Sequence, residues 1–213
     1  MKKISLIVAV VLFATASFAQ SDKYVPAMKA NISQIDSIMG KGNATELSNS
    51  FERIGDAEKT QWLPYYYAAY CTIMQGMVEK DNSKKDAIAD KAASSINKAE
   101  AILGKENSET DVIKAMIATV RMTVDPQSRY MTYGPQISEF TEKSKSLDST
   151  NPRPILLKAE NTFYTPEAYG GGKDAAKPLF DKASAMYAAF KPETELSPAW
   201  GKSAVDYFLS QYK

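Results

Sequence analysis

The feature that most constrains this chain is the spacing of its apolar residues. From end to end they recur at i, i+3, i+4 and i+7, the rhythm of one face of a helix, and no stretch alternates as a strand would. Residues 24–39 carry Val25, Met28, Ile32, Ile35 and Met39, and residues 44–57 carry Leu47, Phe51 and Ile54. The segment 62–79 is apolar almost all round (Trp62, Leu63, Tyr66, Ala69, Tyr70, Ile73, Met77), which predicts burial on more than one side. Residues 84–103 present Ile88, Ala92, Ile96, Ala99 and Leu103 in one stripe, with Gly104 as a stop. Ser108 and Asp111 form a capping-box-like start for a fifth helix over 109–124, which Asp125-Pro126 ends. Pro135 opens the sixth helix, and Asn151-Pro152-Arg153-Pro154 launches the seventh over 154–164. Pro166 and Gly170-Gly171-Gly172 break the chain before an eighth helix at 174–190, and a last helix follows Pro198. The expected class is all-α, with antiparallel neighbours joined by short turns.

A repeat underlies the helices. Shifting the chain by 44 residues aligns Asn107 with Asn151, Lys114 with Lys158 and Ala115 with Ala159. Helix pairs are therefore expected at 62–104, 109–148 and 154–190, preceded by N-terminal helices at 24–60 and followed by a capping helix at 198–212. Ala92, Ile96 and Ala99 match Ala176, Phe180 and Ala183, a small–large–small spacing that lets a neighbouring helix approach closely. This spacing resembles the second-helix signature of tetratricopeptide repeats, and Leu147-Asp148-Ser149-Thr150-Asn151-Pro152-Arg153 resembles the turn between two such repeats. With its Asn-Pro-Arg turn, Phe-Tyr-Thr-Pro segment and Gly-Gly-Gly-Lys loop, the chain is similar to small exported tetratricopeptide-like proteins of Bacteroidota-type bacteria. That resemblance implies a short α-solenoid and a binding scaffold without catalysis of its own.

The first nineteen residues read as an export signal. Lys2 and Lys3 precede an uncharged apolar run from Ile4 to Ala16, and Ser17-Phe18-Ala19 places small residues at −3 and −1 of a cleavage site after Ala19. Cleavage takes Lys+Arg from 26 to 24 against 25 Asp+Glu, so the formal charge moves from +1 to −1. The mature chain (20–213) is expected to be one helical-repeat domain, periplasmic or secreted, without membrane insertion. It carries no basic face for nucleic acid.

Composition removes whole mechanisms. With no histidine, a Ser-His-Asp or Cys-His pair is impossible, as is a histidine-ligated metal. Cys71 is the single cysteine, so neither an internal disulfide nor a thiolate zinc site can form; within 65–77 it reads as a buried apolar residue. Asp86 with Asp90, and Glu139 with Glu142, are carboxylate neighbours set among lysines, as on solvated helix faces. No catalytic residue, cofactor or metal site is assigned, and the chain is not expected to be an enzyme.

Candidate binding residues are the aromatics and one loop. Tyrosine occurs 12 times, and Trp62, Tyr65, Tyr66 and Tyr67 are dense. Successive residues sit about 100° apart on a helix, so these three tyrosines cannot share a face; at least one packs in the core, while another can face outward. Tyr130, Tyr133, Tyr164 and Tyr169 lie at helix ends or connections and are candidates for one shared edge. Lys173, after three glycines and before a helix, is a candidate anion contact, although Glu167 and Asp174 break the phosphate-loop pattern. The leading expectation is a protein or peptide partner in the cell envelope; the alternative is a small ligand or glycan held on an aromatic-lined concave edge.

Overall fold

The computed structural model describes residues 22–38 and 42–212. The export signal with its cleavage site, and Met39, lie outside the described residues. Nine helices follow one another among the described residues: α1 (Tyr24–Ile32), α2 (Ala44–Glu58), α3 (Leu63–Val78), α4 (Asn82–Leu103), α5 (Ser108–Met122), α6 (Pro126–Leu147), α7 (Arg153–Tyr164), α8 (Lys173–Ala189) and α9 (Lys202–Ser210). Single 3-10 turns occur at Ile35–Ser37 and Glu167–Tyr169. The described residues are all-α, without strands, and no described helix is long and apolar enough to cross a membrane. Neighbours pack in chain order, α3 on α4, α5 on α6 and α7 on α8. The first helices of these pairs also touch one another, α3 on α5 and α5 on α7.

Local chemistry explains several helix ends. Asp81 Oδ1 accepts from the Ser83 N–H at 3.1 Å to start α4, and Gly104 ends it in the left-handed region at φ +62°. Asn107 Oδ1 accepts from the Glu109 N–H at 2.8 Å, and one repeat later Asn151 Oδ1 accepts from the Arg153 N–H at 3.0 Å. The 44-residue echo of asparagine is thus a repeated helix start. Both echoed alanines, Ala115 and Ala159, are fully buried, where a larger side chain would separate the packed helices.

Three expectations about helix bounds need correcting. The helix foreseen over 24–39 stops at Ile32, where the side chains of Ser33 and Gln34 both donate to the Ala30 carbonyl that the next turn would use. Asn107, with extended backbone, caps α5; Ser108 is already helical, and its buried hydroxyl bonds Ser144 on α6. Finally, α6 begins at Pro126, which sits in the first turn where a missing N–H is harmless, and Asp125 caps it. Pro135 lies inside α6 on its exposed side, where water can satisfy the freed carbonyl.

The core centres on α3, whose first two turns and a half are packed all round while its last turns border the cleft. Tyr65, Tyr66, Tyr67, Tyr70, Cys71 and Ile73 are all buried. Tyr65 lies across Gly55 of α2, where an added Cβ would fall 2.8 Å from the ring, and its hydroxyl donates to Asp56. Tyr66 donates to Glu109 on α5, while Tyr67 stacks on Phe51 at 5.0 Å between centroids and donates to the Leu196 carbonyl. Three side chains pointing about 100° apart thus meet three different neighbours. Ala92, Ile96 and Ala99 of α4 and Ala176, Phe180 and Ala183 of α8 are all buried, as close helix approach requires.

Candidate functional site

The first helices of the pairs, with α6, α9 and three connecting segments, surround a cleft of about 1110 Å³. Its floor is aromatic and aliphatic. Tyr70 stacks on Trp200 with centroids 4.4 Å apart, and Leu156, Leu157 and Phe208 continue the surface. Met74 and Met77 of α3 and Met116 and Met122 of α5 supply flexible, polarisable walls.

The rim is unusual for a water-exposed surface. Tyr169, Tyr164, Tyr207 and Tyr130 all line the cleft, and they keep 81%, 72%, 61% and 58% of their surface exposed. Large aromatic side chains grouped at the mouth of an apolar cavity mark a place where another apolar surface docks. Tyr164 is edge-on to Phe208 at 6.0 Å, and Tyr207 likewise at 5.4 Å, so the rim continues into the floor.

The glycine loop holds one side of this rim. Gly172 N–H donates to the Thr162 carbonyl at 2.9 Å, and Gly171 N–H to the Pro166 carbonyl at 3.3 Å. Gly170 and Gly172 adopt φ values of +80° and +97°, which glycine tolerates best. At Gly171 a Cβ would stand 2.3 Å from the Thr165 carbonyl oxygen, so only glycine fits. The loop folds tightly against the end of α7, placing Tyr169 over the cleft, and the N–H groups of all three glycines are bonded within the chain.

Of the residues singled out from sequence, Tyr130, Tyr164 and Tyr169 come together at the cleft. Tyr133 is partly buried and does not line it. Tyr65, Tyr66 and Tyr67 are core residues, and Trp62 packs edge-on against Tyr66 at 5.7 Å; the outward-facing tyrosine expected among 65–67 is absent because this stretch of α3 is packed all round. Lys173 turns to the C-terminal segment, donating to the Gln211 carbonyl with its ammonium 5.0 Å from the Tyr212 ring centre. Of the carboxylate neighbours on helix faces, Asp86, Asp90 and Glu142 have partners. Arg129 grips both oxygens of Asp86 at 2.7 and 2.8 Å, Arg121 pairs with Asp90, and Lys158 with Glu142. Arg129's hydrogen bonds hold the Asp86 carboxyl below the ordinary carboxylate range. Cys71 is fully buried, and burial pushes its thiol far up, which makes it unreactive.

Two features have almost no trace in the sequence. One is a buried polar knot behind the cleft floor. Arg153, 0% exposed, pairs with Glu109 at 2.9 Å, bonds Asn151 Oδ1 and the Pro198 carbonyl, and lies about 5 Å from the Phe190 and Trp200 ring centres. Glu109 also receives Tyr66 and Asn151, and Trp200 Nε1 donates to Tyr66. The knot ties α3, α5, α7 and the segment after α8 together, and so fixes Trp200 beneath the cleft. Its only sequence signal is the Asn151-Pro152-Arg153 turn. The other is Glu160 of α7, whose carboxyl lies deep among protein atoms yet lines the cleft; burial alone raises it to about 7.

No protein-family model and no curated protein matches the chain. A solved structure does: the HusA haemophore from Porphyromonas gingivalis, at 32% identity and a TM-score of 0.79, covering 92% of this chain and 96% of that one. The chain belongs to the family of that haemophore. Its relative is a binding protein rather than an enzyme, in keeping with the non-catalytic binding role expected from the sequence, and it comes from the Bacteroidota. Tetratricopeptide likeness is not established by this match; membership of an all-helical haemophore family is.

Proposed function

We propose that this protein is an exported haem-binding protein that holds a tetrapyrrole in the tyrosine-rimmed cleft, as cargo rather than as a catalytic group. The observation that carries this reading is the cleft itself, in a chain aligned over nearly its whole length with a haemophore. At about 1110 Å³ it slightly exceeds the roughly 300–1,000 Å³ common for small-molecule sites, which favours a large ligand over a single sugar or amino acid. Its surface suits a flat apolar ring: methionines on two walls, a Tyr70–Trp200 stack below, and tyrosines able to close over the ring faces. Histidine ligation of iron is excluded by composition, leaving tyrosine, methionine or carboxylate oxygen as metal contacts. Of the two expectations drawn from sequence, the small-ligand alternative has this cavity behind it, whereas no comparable feature favours a peptide.

The test is a titration of the purified chain with ferric protoporphyrin, followed by absorbance and by quenching of Trp200 beneath the cleft. A saturable one-to-one complex is expected, weakened at least about tenfold by Tyr164→Ala with Tyr169→Ala. Because both side chains are largely exposed, the double variant should fold as the parent does, within about 0.5 kcal/mol for each site. Saturable binding of a glycan or peptide, with none of protoporphyrin, would overturn the reading.

A further inference from the structure

The charged groups lining the cleft are unbalanced. Asp36, Glu142 and Glu160 face a single cation, Lys158, which already pairs with Glu142 at 3.3 Å. Glu160 is the deep one of the three, and its carboxyl makes no hydrogen bond and no ion pair among the described residues. Around it, α3 presents the Tyr70 phenol, α8 that of Tyr187 and α7 itself that of Tyr164, and the charge of Glu160 is felt at all three. From the other elements lining the cleft, α9 brings Tyr207, α6 Tyr130 and Glu142 (the latter paired with Lys158 of α7), the first 3-10 turn Asp36, and α5 only neutral side chains such as Met116, Thr119 and Met122. Arg153, the fully buried cation of the polar knot, is engaged by Glu109. A carboxylate kept in an apolar cavity without a partner is expensive unless a positive centre arrives with the ligand.

We propose that Glu160 is the specificity-determining residue of the cleft, its carboxylate facing the positive centre of a ferric tetrapyrrole so that the metallated ring is held in preference to the metal-free one. This rests on the haem-binding reading above. A ferric porphyrin core carries one net positive charge at the metal, its peripheral carboxylates aside, whereas a free-base core is neutral. Bringing the metal to Glu160 therefore displaces the proton from its carboxyl to solvent, while a metal-free ring buries the same group with nothing to offset its charge. The two ligands should consequently respond to pH in different ways. With the free carboxyl titrating at about 7, its ionised fraction rises about tenfold between pH 6 and pH 8, and ferric affinity should rise by about that factor. Metal-free affinity should stay level or fall.

The experiment titrates the full chain and Glu160→Gln with ferric and with metal-free protoporphyrin at pH 6, 7 and 8, and records the ferric absorption spectrum of each complex. The expected result is opposite or divergent pH trends in the parent. In Glu160→Gln, the ratio of ferric to metal-free affinity should fall about tenfold at pH 8, the pH trend should vanish, and the ferric bands should shift. Circular dichroism checks that the variant is folded, and Glu160→Asp, which keeps the charge, should retain part of the preference. If both rings bind the parent and Glu160→Gln leaves their affinity ratio unchanged, the role of Glu160 is overturned while the haem-binding reading stands. If neither ring binds the parent, both are overturned.

Discussion

Replacing Arg153 by methionine is the sharpest test of what holds the cleft floor in place. The guanidinium is fully buried, pairs with Glu109 at 2.9 Å, and bonds Asn151 and the Pro198 carbonyl. Methionine is shorter than arginine but keeps an unbranched apolar side chain directed between Phe190 and Trp200, so part of the packing is retained. What remains is Glu109, its carboxyl already raised by burial and now without its main counter-charge, although Tyr66 and Asn151 still donate to it. Breaking one partner of a buried pair typically destabilises by about 3–5 kcal/mol. For a chain of this size that corresponds to a fall in Tm of roughly 6–20 °C. Urea unfolding followed by far-ultraviolet circular dichroism measures it, in a cycle with Glu109→Gln and the double variant. Once both charges are gone, much of the loss should return, giving a coupling of at least about 2 kcal/mol. The direction with pH is also set. In Arg153→Met the folded state holds the Glu109 proton more tightly than the unfolded chain does, so the variant should become relatively more stable as pH falls from 7 toward 5. A loss below about 1 kcal/mol, or strict additivity in the cycle, would refute the view that this pair organises the floor.

Three further outcomes are expected. Gly171→Ala places a Cβ against the Thr165 and Thr162 backbone, which cannot yield cheaply; it should lower stability by about 1–3 kcal/mol and weaken protoporphyrin binding by shifting Tyr169. Glu160, raised from 4.5 to about 7 by burial, contributes stability at low pH that is lost as pH rises from 4.5 through 7. Unfolding midpoints of the ligand-free parent should therefore decline across that window relative to Glu160→Gln, and run parallel to them above it. Ala183→Leu on α8 should destabilise by about 1–3 kcal/mol in thermal melts, because Ala183 is fully buried where the neighbouring helix packs.

How much of the site is legible in the sequence differs from residue to residue. Tyr130, Tyr133, Tyr164 and Tyr169 sit at ends and connections, where periodicity places no core, and they read as one edge; the cleft brings together Tyr130, Tyr164 and Tyr169 but not Tyr133. The trio at Tyr65, Tyr66 and Tyr67 is readable only as a geometric dilemma. A helix turns each residue about 100° from the last, and whether the outermost ring meets water or protein depends on what lies beyond it. Gly55 on α2 and the returning segment around Leu196 decide that question, the latter from 129 residues away. Met116, Met122 and Trp200 look like ordinary core positions in the sequence, yet they face a cavity.

Helix class, the repeated asparagine starts and the small–large–small seams are determined by the sequence alone, because each depends on residues within a few positions of one another. Absence of histidine likewise limits the available chemistry through composition, whatever the fold. The cleft, the Arg153–Glu109 knot and the solitary Glu160 carboxyl are decided only by tertiary structure. Each depends on where helices distant in sequence come to rest. A carboxylate on a helix reads the same whether it faces water or an enclosed apolar cavity, and only the fold distinguishes a solvated charge from one that lacks a counterpart.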